Sequence, residues 1–232
     1  MSLTQLALEI GLRDDATFDS YCKINNEMAY ACVVDMSQGN GEQFTYLWGG
    51  AGVGKTHLLQ AVCHFASERE ISAVYLPLEN IINSFDIDKL YGLENIDLVC
   101  LDNIQVIATK AKWEEGLFHL FNNIKNNQNK LLITADRPPA QLNLNLSDLK
   151  SRLSWGVVYQ LHDLEDEAKL IVLQSRAKSR GLELDCAVGR FLLRRCSRSM
   201  SYLFEVLELL DKASLAKQRK LTVPFVKQIL DI

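Results

Sequence analysis

The sequence predicts an α/β fold in which a five-stranded parallel sheet is covered by helices and is followed by a small all-helical domain. Three observations favour this class. Short apolar runs alternate with helical patterns up to residue 162, a glycine-rich loop at 49–56 follows the first strand, and only helical patterns come after residue 162. Uniformly apolar strands that alternate with helices are typical of parallel sheets buried on both faces.

The first half of the core follows this alternation. A helix over 25–37 is closed by a glycine–asparagine–glycine turn, which favours the end of a helix. The segment 43–48 is β-branched and aromatic, as strands are, and residues 55–69 carry apolar side chains at helical spacing. Apolar runs at 73–77 and 97–102 have the length of strands, and the second ends in a carboxylate.

The second half of the core repeats the pattern and then changes. An amphipathic helix over 113–124 precedes a strand at 130–135, a short helix at 148–153 and a strand at 157–161. Four helices are predicted in the tail, over 165–180, 187–196, 201–217 and 223–230. We therefore expect three segments, namely a leader at 1–24, a core at 25–162 and a helical domain at 163–232.

Composition is typical of a soluble globular protein. Of the 232 residues, 48% are hydrophobic and 23% are charged, and the net charge of −4 gives no global electrostatic attraction to nucleic acid. No run approaches the ~20 apolar residues of a membrane span, and the N-terminus has no signal-peptide pattern. We therefore expect a cytoplasmic protein with no membrane partner.

The cysteines and histidines give little evidence of a metal centre. The six cysteines are scattered without a CxxC pair, which favours reduced, buried thiols. A zinc site formed by His57, Cys63 and His64 is an alternative, but it lacks a second pair of ligands at standard spacing.

The segment GGAGVGKT fits the Walker A pattern of a phosphate-binding loop. Its glycines let backbone N–H groups point at phosphate oxygens, and the helix that follows adds the positive end of its dipole. The required strand before the loop and helix after it are both predicted. The expected nucleotide-binding residues of this loop are Gly49, Gly50, Ala51, Gly52, Val53, Gly54, Lys55 and Thr56.

Two oxygen donors are expected to hold Mg²⁺ beside the phosphates. The hydroxyl of Thr56 would bind the metal, and Asp102 lies at the end of an apolar strand, where a Walker B aspartate binds the metal or its water. The bland alternative for Asp102 is an aspartate that caps the next turn. Asn103 follows where hydrolytic relatives usually have an acid, and an amide cannot accept a proton. We therefore expect slow ATP hydrolysis or none.

Four segments resemble the AAA+ part of the bacterial initiator DnaA, namely GGAGVGKTHLL, LVCLDNI, LLITADRPP and LKSRLSWG. The sequence stops after the helical tail, so that we expect DnaA's helix-turn-helix DNA-binding domain to be missing. Together with the N-terminal QLALEI, this pattern is similar to the Hda family of DnaA inactivators, over nearly the whole chain. The resemblance implies an AAA+ P-loop core and a helical lid.

The resemblance also implies a function. Members of the Hda family are negative regulators of replication initiation that bind ADP and attach to the DNA-loaded sliding clamp of DNA polymerase III. There they stimulate ATP hydrolysis by DnaA. The implied partners are therefore DnaA and the clamp, with DNA contacted mainly through the clamp, and the chain itself would be a regulator rather than an enzyme.

The resemblance assigns a clamp-binding motif to the N-terminus. Gln5, Leu6, Leu8 and Ile10 match the pattern QLxLxL, in which an extended peptide places a polar anchor and apolar side chains in a preformed groove. Glu9 stands where the family often has proline, so the extended conformation is less pre-set here. The bland alternative is an ordinary N-terminal tail.

Arg152 matches the family's arginine finger, which would reach the ATP of a neighbouring DnaA in trans. Its guanidinium would stabilise the charge of the transition state, and such fingers typically contribute ~10³–10⁵ in rate. From the residues alone, the alternative is a surface arginine in a salt bridge, which stabilises a protein little.

The remaining matches concern the nucleotide. Asp136 and Arg137 match the family's sensor 1 segment, and the alternative is a turn before two prolines. The sensor 2 arginine of related proteins falls at Ser201 here, so that either Arg198 replaces it or the contact is lost. Phe18 and Tyr21 resemble residues that line the base pocket of DnaA-like proteins. Both aromatic residues could equally pack the leader onto the sheet, and the sequence does not separate these interpretations.

Three other function classes compete with the regulator that the resemblance implies. An autonomous AAA+ ATPase, such as a helicase-loader-like protein, is favoured by the intact Walker A loop but not by Asn103 and Ser201. A small-molecule kinase would need a lid with several arginines facing a substrate pocket, whereas the arginines and lysines of the tail are spread around the helices. Direct DNA binding through the short cluster 217–220 has the least support. The residues leave open whether ADP or ATP is bound and whether the chain forms a homo-oligomer.

Overall fold

The computed structural model describes residues 12–69, 71–83 and 87–232. Five parallel strands form a single sheet in the order β2-β3-β4-β1-β5, which confirms the predicted five-stranded parallel sheet. The strands are β1 Phe44–Trp48, β2 Ala73–Pro77, β3 Leu98–Asp102, β4 Lys130–Ala135 and β5 Val157–Gln160. Each lies within one residue of its predicted bounds at either end.

Helices alternate with the strands along the chain, as the sequence pattern predicts. Those of the first 160 residues are α1 Glu27–Ser37, α2 Lys55–Ser67, α3 Leu78–Ile81, α4 Ala111–Asn126 and α5 Ser147–Leu153. The tail contains α6 Asp166–Ser179, α7 Cys186–Arg195, α8 Met200–Lys217 and α9 Val223–Leu230. The sequence did not predict α3 or four short 3₁₀ turns, because four residues or fewer give no usable periodicity.

The burial pattern explains why the central strands are so apolar. Every residue of β3 is buried, and five of the six residues of β4 are buried, so both faces of these strands are covered. Helix α4 buries Trp113, Leu117 and Leu120 toward the same core and exposes polar residues on its other side. Among the described residues, no helix is both long enough and apolar enough to cross a membrane.

The chain forms two compact units. The first comprises residues 12–21, 28–48 and 55–160, where described, and the second comprises 22–27, 49–54 and 161–232. The second unit has its own apolar core, which helices α6 to α9 build around Leu173, Leu192, Leu203 and Phe225. The tail is therefore a packed domain and not an appendage of loose helices.

The strand order decides where the polar ends of the strands meet. Strands β3, β4 and β1 are neighbours in a parallel sheet, so their carboxyl ends lie side by side. The phosphate loop begins directly after β1, Asp102 is the last residue of β3, and Asp136 follows β4. In open parallel sheets this edge is where ligands bind.

Candidate nucleotide site

The loop at 49–54 has the backbone that its glycines predict. Gly52 and Gly54 have φ angles of 81° and 94°, a left-handed region that other residues rarely adopt. A Cβ on Gly49 would lie 2.6 Å from the carbonyl oxygen of Leu161, and one on Gly52 would lie 2.9 Å from Oγ of Ser199. The loop therefore has room for backbone only at these two positions.

Thr56 and Asp102, predicted from separate segments, lie in contact. Oγ1 of Thr56 donates a hydrogen bond to Oδ2 of Asp102 at 2.6 Å. The carboxylate is buried and accepts two more hydroxyl donors, Tyr75 at 2.9 Å on Oδ2 and Thr134 on Oδ1. Neither donor was predicted from the sequence, because a tyrosine and a threonine within apolar strands carry no local signal of a site.

Lys55 begins α2 and lies among carboxylates. Burial lowers the pKa of its ammonium group, and the nearby charges of Asp102, Asp136 and Glu79 oppose that shift. The structure therefore brings Lys55, Thr56, Asp102 and Asp136 together at one edge of the sheet. A cation at a helix N-terminus, beside paired oxygen donors, is the chemistry that holds a phosphate and its metal ion.

The residue after Asp102 connects β3 to β4. Asn103 has φ 61° and ψ 53°, a conformation that asparagine tolerates better than most side chains. Its N–H donates to Oγ1 of Thr134 at 3.0 Å, and its Oδ1 accepts from Nε2 of Gln105 at 3.3 Å. Oε1 of Gln105 in turn accepts the N–H of Asp136 at 3.2 Å. The position expected to activate water thus holds an amide within a chain of hydrogen bonds.

Asp136 is engaged by its own neighbour. The guanidinium of Arg137 donates to both oxygens of Asp136, at 2.8 Å from Nε and 2.7 Å from Nη2. This contact holds the pKa of Asp136 below its usual value, and the charge of Lys55 contributes in the same direction. Asp136 is therefore an ionised group near Lys55, but a local ion pair occupies its carboxylate.

The leader packs against α1 and α2 through aromatic rings. Phe18 makes edge contacts with Tyr30 and Phe65, at centroid distances of 5.7 and 5.5 Å. Tyr21 stacks on Tyr30 at 5.8 Å and lies 5.5 Å from the ring of His57. The two aromatic residues left open by the sequence thus both take part in packing the leader. A contact of either with a base stays a prediction.

The histidines of α2 hold the leader backbone. Nε2 of His57 lies 2.9 Å from the carbonyl oxygen of Thr17, and Nε2 of His64 lies 3.0 Å from that of Arg13. Because a carbonyl only accepts, Nε2 carries the proton in both rings. The backbone N–H of Arg13 donates to Gln60 on the same helix face at 3.3 Å. Two ligands of the alternative zinc site are thus occupied, and the described residues contain no three-residue metal cluster.

Arg152 lies on α5 against an aromatic surface. Its guanidinium carbon is 4.7 Å from the ring centroid of Trp155 and 6.0 Å from that of Phe118. Nζ of Lys125 lies 3.5 Å from the same Trp155 ring. Within the described ranges no carboxylate forms an ion pair with Arg152. The alternative of a salt-bridged surface arginine is therefore not what the structure shows.

Arg198 lies in the second unit, in the turn before α8. Its side chain forms an exposed ion pair with Asp166 at 3.5 Å, and its carbonyl oxygen accepts from Nζ of Lys169 at 2.8 Å. Lys169 is buried and also donates to Asp163 at 2.6 Å, a role that was not predicted from the sequence. Ser201 is exposed in the first turn of α8. The predicted clamp-binding residues Gln5, Leu6, Leu8 and Ile10 lie outside the described residues.

Two family models match this chain. The model described as the bacterial DnaA ATPase domain matches residues 12–160, and the model described as the Hda lid domain matches residues 166–230. The two matches together span both compact units with only a short interval between them.

Solved structures with the same fold include an initiator and a motor. Domain III of the Thermotoga maritima replication initiation protein DnaA has a TM-score of 0.85 at 21% identity, covering 96% of this chain and 98% of that one. AMPPCP-bound DnaA from Aquifex aeolicus has a TM-score of 0.73 at 23% identity, and the match covers 87% of this chain and 66% of that one. The T. maritima RuvB Holliday junction branch migration motor has a TM-score of 0.67 at 13% identity, with 90% and 68% covered.

Proposed function

This chain belongs to the bacterial DnaA ATPase family and carries a lid of the Hda type, and we propose that it is an adaptor that switches off replication initiation. In this proposal the protein holds ADP, or ATP, with Mg²⁺ and docks on the DNA-loaded sliding clamp. From the clamp it stimulates ATP hydrolysis by DnaA. Membership of this family supports the role, and the geometry supports nucleotide binding and the availability of Arg152.

Nucleotide binding rests on the phosphate loop and the first turn of α2. The loop at 49–54 presents backbone, Lys55 supplies a cation, and the oxygen atoms of Thr56 and Asp102 lie 2.6 Å apart. Hydroxyl and carboxylate oxygens are the hard donors that Mg²⁺ prefers, so this pair would hold the ion. The A. aeolicus relative is bound to AMPPCP, which supports a nucleotide as the ligand here.

The observation that carries the proposed role toward DnaA is the state of Arg152. A trans-acting arginine needs a guanidinium whose N–H donors are available to a phosphate, and Arg152 rests on the face of Trp155 without a carboxylate partner in the described residues. An arginine in a salt bridge would first have to break that bond. The clamp-binding step rests on the sequence match at Gln5, Leu6, Leu8 and Ile10 alone.

The protein itself is proposed to hydrolyse ATP slowly or not at all. Asn103 cannot accept a proton from an attacking water, and its side chain is hydrogen-bonded to Gln105. The second candidate function is an autonomous AAA+ ATPase, such as a helicase-loader-like protein. The contact between Thr56 and Asp102 favours it, because a working metal pair is what turnover would require.

One experiment separates these functions. ATP hydrolysis by DnaA is measured on clamp-loaded DNA with and without this protein and ADP, and ATP hydrolysis by this protein alone is measured in parallel. We expect strong acceleration by the wild type, and loss of it in Arg152→Ala and in the double variant Gln5→Ala/Leu8→Ala. Arg190→Ala changes an exposed arginine of α7 and should retain the acceleration.

Each outcome assigns a function. Acceleration that both variants lose supports the adaptor and the roles of its two motifs. A wild type that leaves DnaA unaffected but hydrolyses ATP alone identifies an autonomous ATPase and rejects the adaptor.

A further inference from the structure

Trp155 is an exposed aromatic residue that carries two cations. About half of this large apolar residue is in contact with solvent, since 52% of its surface is exposed. Nζ of Lys125 lies 3.5 Å from its ring centroid, and the guanidinium carbon of Arg152 lies 4.7 Å from it. Both distances fall within the range of a cation–π interaction, for which indole is the best ring.

The backbone fixes where the indole lies. The N–H of Trp155 donates to the carbonyl oxygen of Arg152 at 3.0 Å, so the chain turns back at the end of α5 and returns the ring to the arginine. At the next residue, a Cβ on Gly156 would lie 2.0 Å from the carbonyl oxygen of Phe44. Backbone therefore packs directly on backbone at Gly156, and Trp155 cannot shift far along the surface.

Stacking and ion pairing leave an arginine in different states. A carboxylate binds the edge of the guanidinium and occupies its N–H donors, whereas an indole binds the face and leaves those in-plane donors free. The indole also restricts a long side chain that otherwise loses much of its rotamer entropy when it is immobilised. A guanidinium held this way is ready for a phosphate oxygen in the plane of its N–H groups.

We propose that Trp155 is a positioning residue that holds the guanidinium of Arg152 in place for a phosphate presented by a partner protein. The inference rests on the proposed function of Arg152 in trans. Trp155 itself does not touch the reacting atoms. It lowers the entropy that Arg152 would otherwise lose when the partner's nucleotide arrives, and so it acts on the rate of the stimulated reaction.

Two variants of Trp155 distinguish an effect of its aromatic ring from an effect of side-chain size. Trp155→Phe keeps a ring, and Trp155→Leu keeps an apolar side chain without one. Because the indole is half exposed, both variants are expected to fold, which circular dichroism and thermal unfolding verify. Tyr91→Ala removes another exposed aromatic residue, with 64% of its surface exposed, and serves as the control.

The readout is DnaA-dependent ATP hydrolysis at increasing concentrations of this protein. We expect Trp155→Leu to lower the maximal stimulated rate about two- to fivefold, the rate equivalent of one exposed cation–π contact, without changing the half-maximal concentration. Trp155→Phe should restore most of that rate, and Tyr91→Ala should behave as the wild type. Wild type and Arg152→Ala are measured in every series.

The results distinguish this inference from the proposed function. If the wild type does not stimulate DnaA, the proposed function fails. If Arg152→Ala is inactive but Trp155→Leu reaches the wild-type maximal rate, the positioning role alone is rejected. A loss confined to the half-maximal concentration also rejects it, because the indole would then be a docking contact. Equal losses in the Phe and Leu variants exclude a role for the aromatic face.

Discussion

Asp102 is a buried carboxylate that accepts hydrogen bonds from hydroxyl groups of three different elements. Thr56 comes from α2, Tyr75 from β2 and Thr134 from β4. Burial raises the pKa of the Tyr75 phenol, and the charge of Asp102 raises it further, so the phenol stays protonated as a donor. Hydrogen bonds to a charged group contribute about 1.5–3 kcal/mol each, more than neutral ones do. No salt bridge to Asp102 is found among the described residues, where these three donors supply its side-chain hydrogen bonds.

Replacing Tyr75 tests this account at a single atom. Tyr75→Phe removes one donor from the buried carboxylate and should lower the free energy of unfolding by about 1–3 kcal/mol, as measured by urea denaturation. Tyr91→Phe removes a hydroxyl from an exposed side chain and should change stability by less than about 0.5 kcal/mol. If the two variants have the same free energy of unfolding, the hydrogen bond from Tyr75 to Asp102 does not stabilise the fold.

Helix α2 borders the candidate phosphate site and also contacts the leader. Its first residues, Lys55 and Thr56, face the candidate phosphate site, while His57, Gln60 and His64 hold the backbone of the leader. These three polar residues recur at helical spacing, so they form one face of the helix. The leader and the candidate phosphate site are therefore joined by one helix.

The imidazole of His57 makes leader docking sensitive to pH. Burial lowers its pKa below the ordinary 6.5, the charge of Arg13 acts in the same direction, and the bond to Thr17 opposes the shift. The unfolded chain then binds a proton that the folded chain does not, so stability is retained above 6.5 and falls as the pH drops toward the folded pKa.

Urea denaturation from about pH 7.5 to about pH 5.5 measures this loss. His57→Gln keeps an N–H donor for Thr17 but cannot take up a proton, so its stability should vary less over that range. His119→Gln changes an exposed histidine of α4 and should follow the wild-type curve. A His57→Gln curve that is as steep as the wild type would assign the pH dependence to other groups.

Glu114 fixes the start of the helix that carries Arg152. This buried carboxylate of α4 accepts the N–H of Thr109 at 2.9 Å and that of Leu146 at 2.7 Å. Leu146 is the residue before α5, which has no side-chain cap of its own. Glu114 thus holds the N-cap residue of α5 from a neighbouring helix, as the N3 glutamate of a capping box does from within its own helix.

A change of one atom in Glu114 should therefore disturb two loops. In Glu114→Gln an amide NH₂ meets a backbone N–H, and we expect a loss of about 1–3 kcal/mol in the free energy of unfolding. Glu115→Gln, the same change at the exposed neighbour, should be close to neutral. If thermal unfolding shows no difference between the two variants, the acceptor role of Glu114 is wrong.

At the scale of the whole molecule, bound nucleotide should stabilise the fold by mass action. ADP with Mg²⁺ at about 100 times its Kd adds ~2.7 kcal/mol, which for a chain of this size raises Tm by about 5–10 °C. Lys55→Ala should fold but lose this shift, because it removes the cation of the phosphate site. Lys112→Ala, at an exposed position of α4, is the control. A full shift in Lys55→Ala would place the nucleotide elsewhere.

Much of the architecture was predictable because its signals are local in sequence. The segment over 130–135 and the helix over 223–230 were predicted with the bounds that the structure has. Apolar runs of strand length and side chains at helical spacing depend on neighbouring residues only. The phosphate loop is equally local, since its glycines and Lys55 follow one another along eight residues.

The hydrogen-bond partners of Asp102 depend on the strand order, which was not predicted from the sequence. Tyr75 and Thr134 lie 27 and 32 residues from Asp102 along the chain, and only the order β2-β3-β4 brings their hydroxyls to its carboxylate. The return of Trp155 onto Arg152 likewise depends on how β5 packs against Phe44 in β1. The sequence alone thus determined the fold class and the phosphate loop, because local patterns specify them. Tertiary structure decided the partners of each functional side chain, because hydrogen bonds and stacking depend on distances in space and not on spacing in the chain.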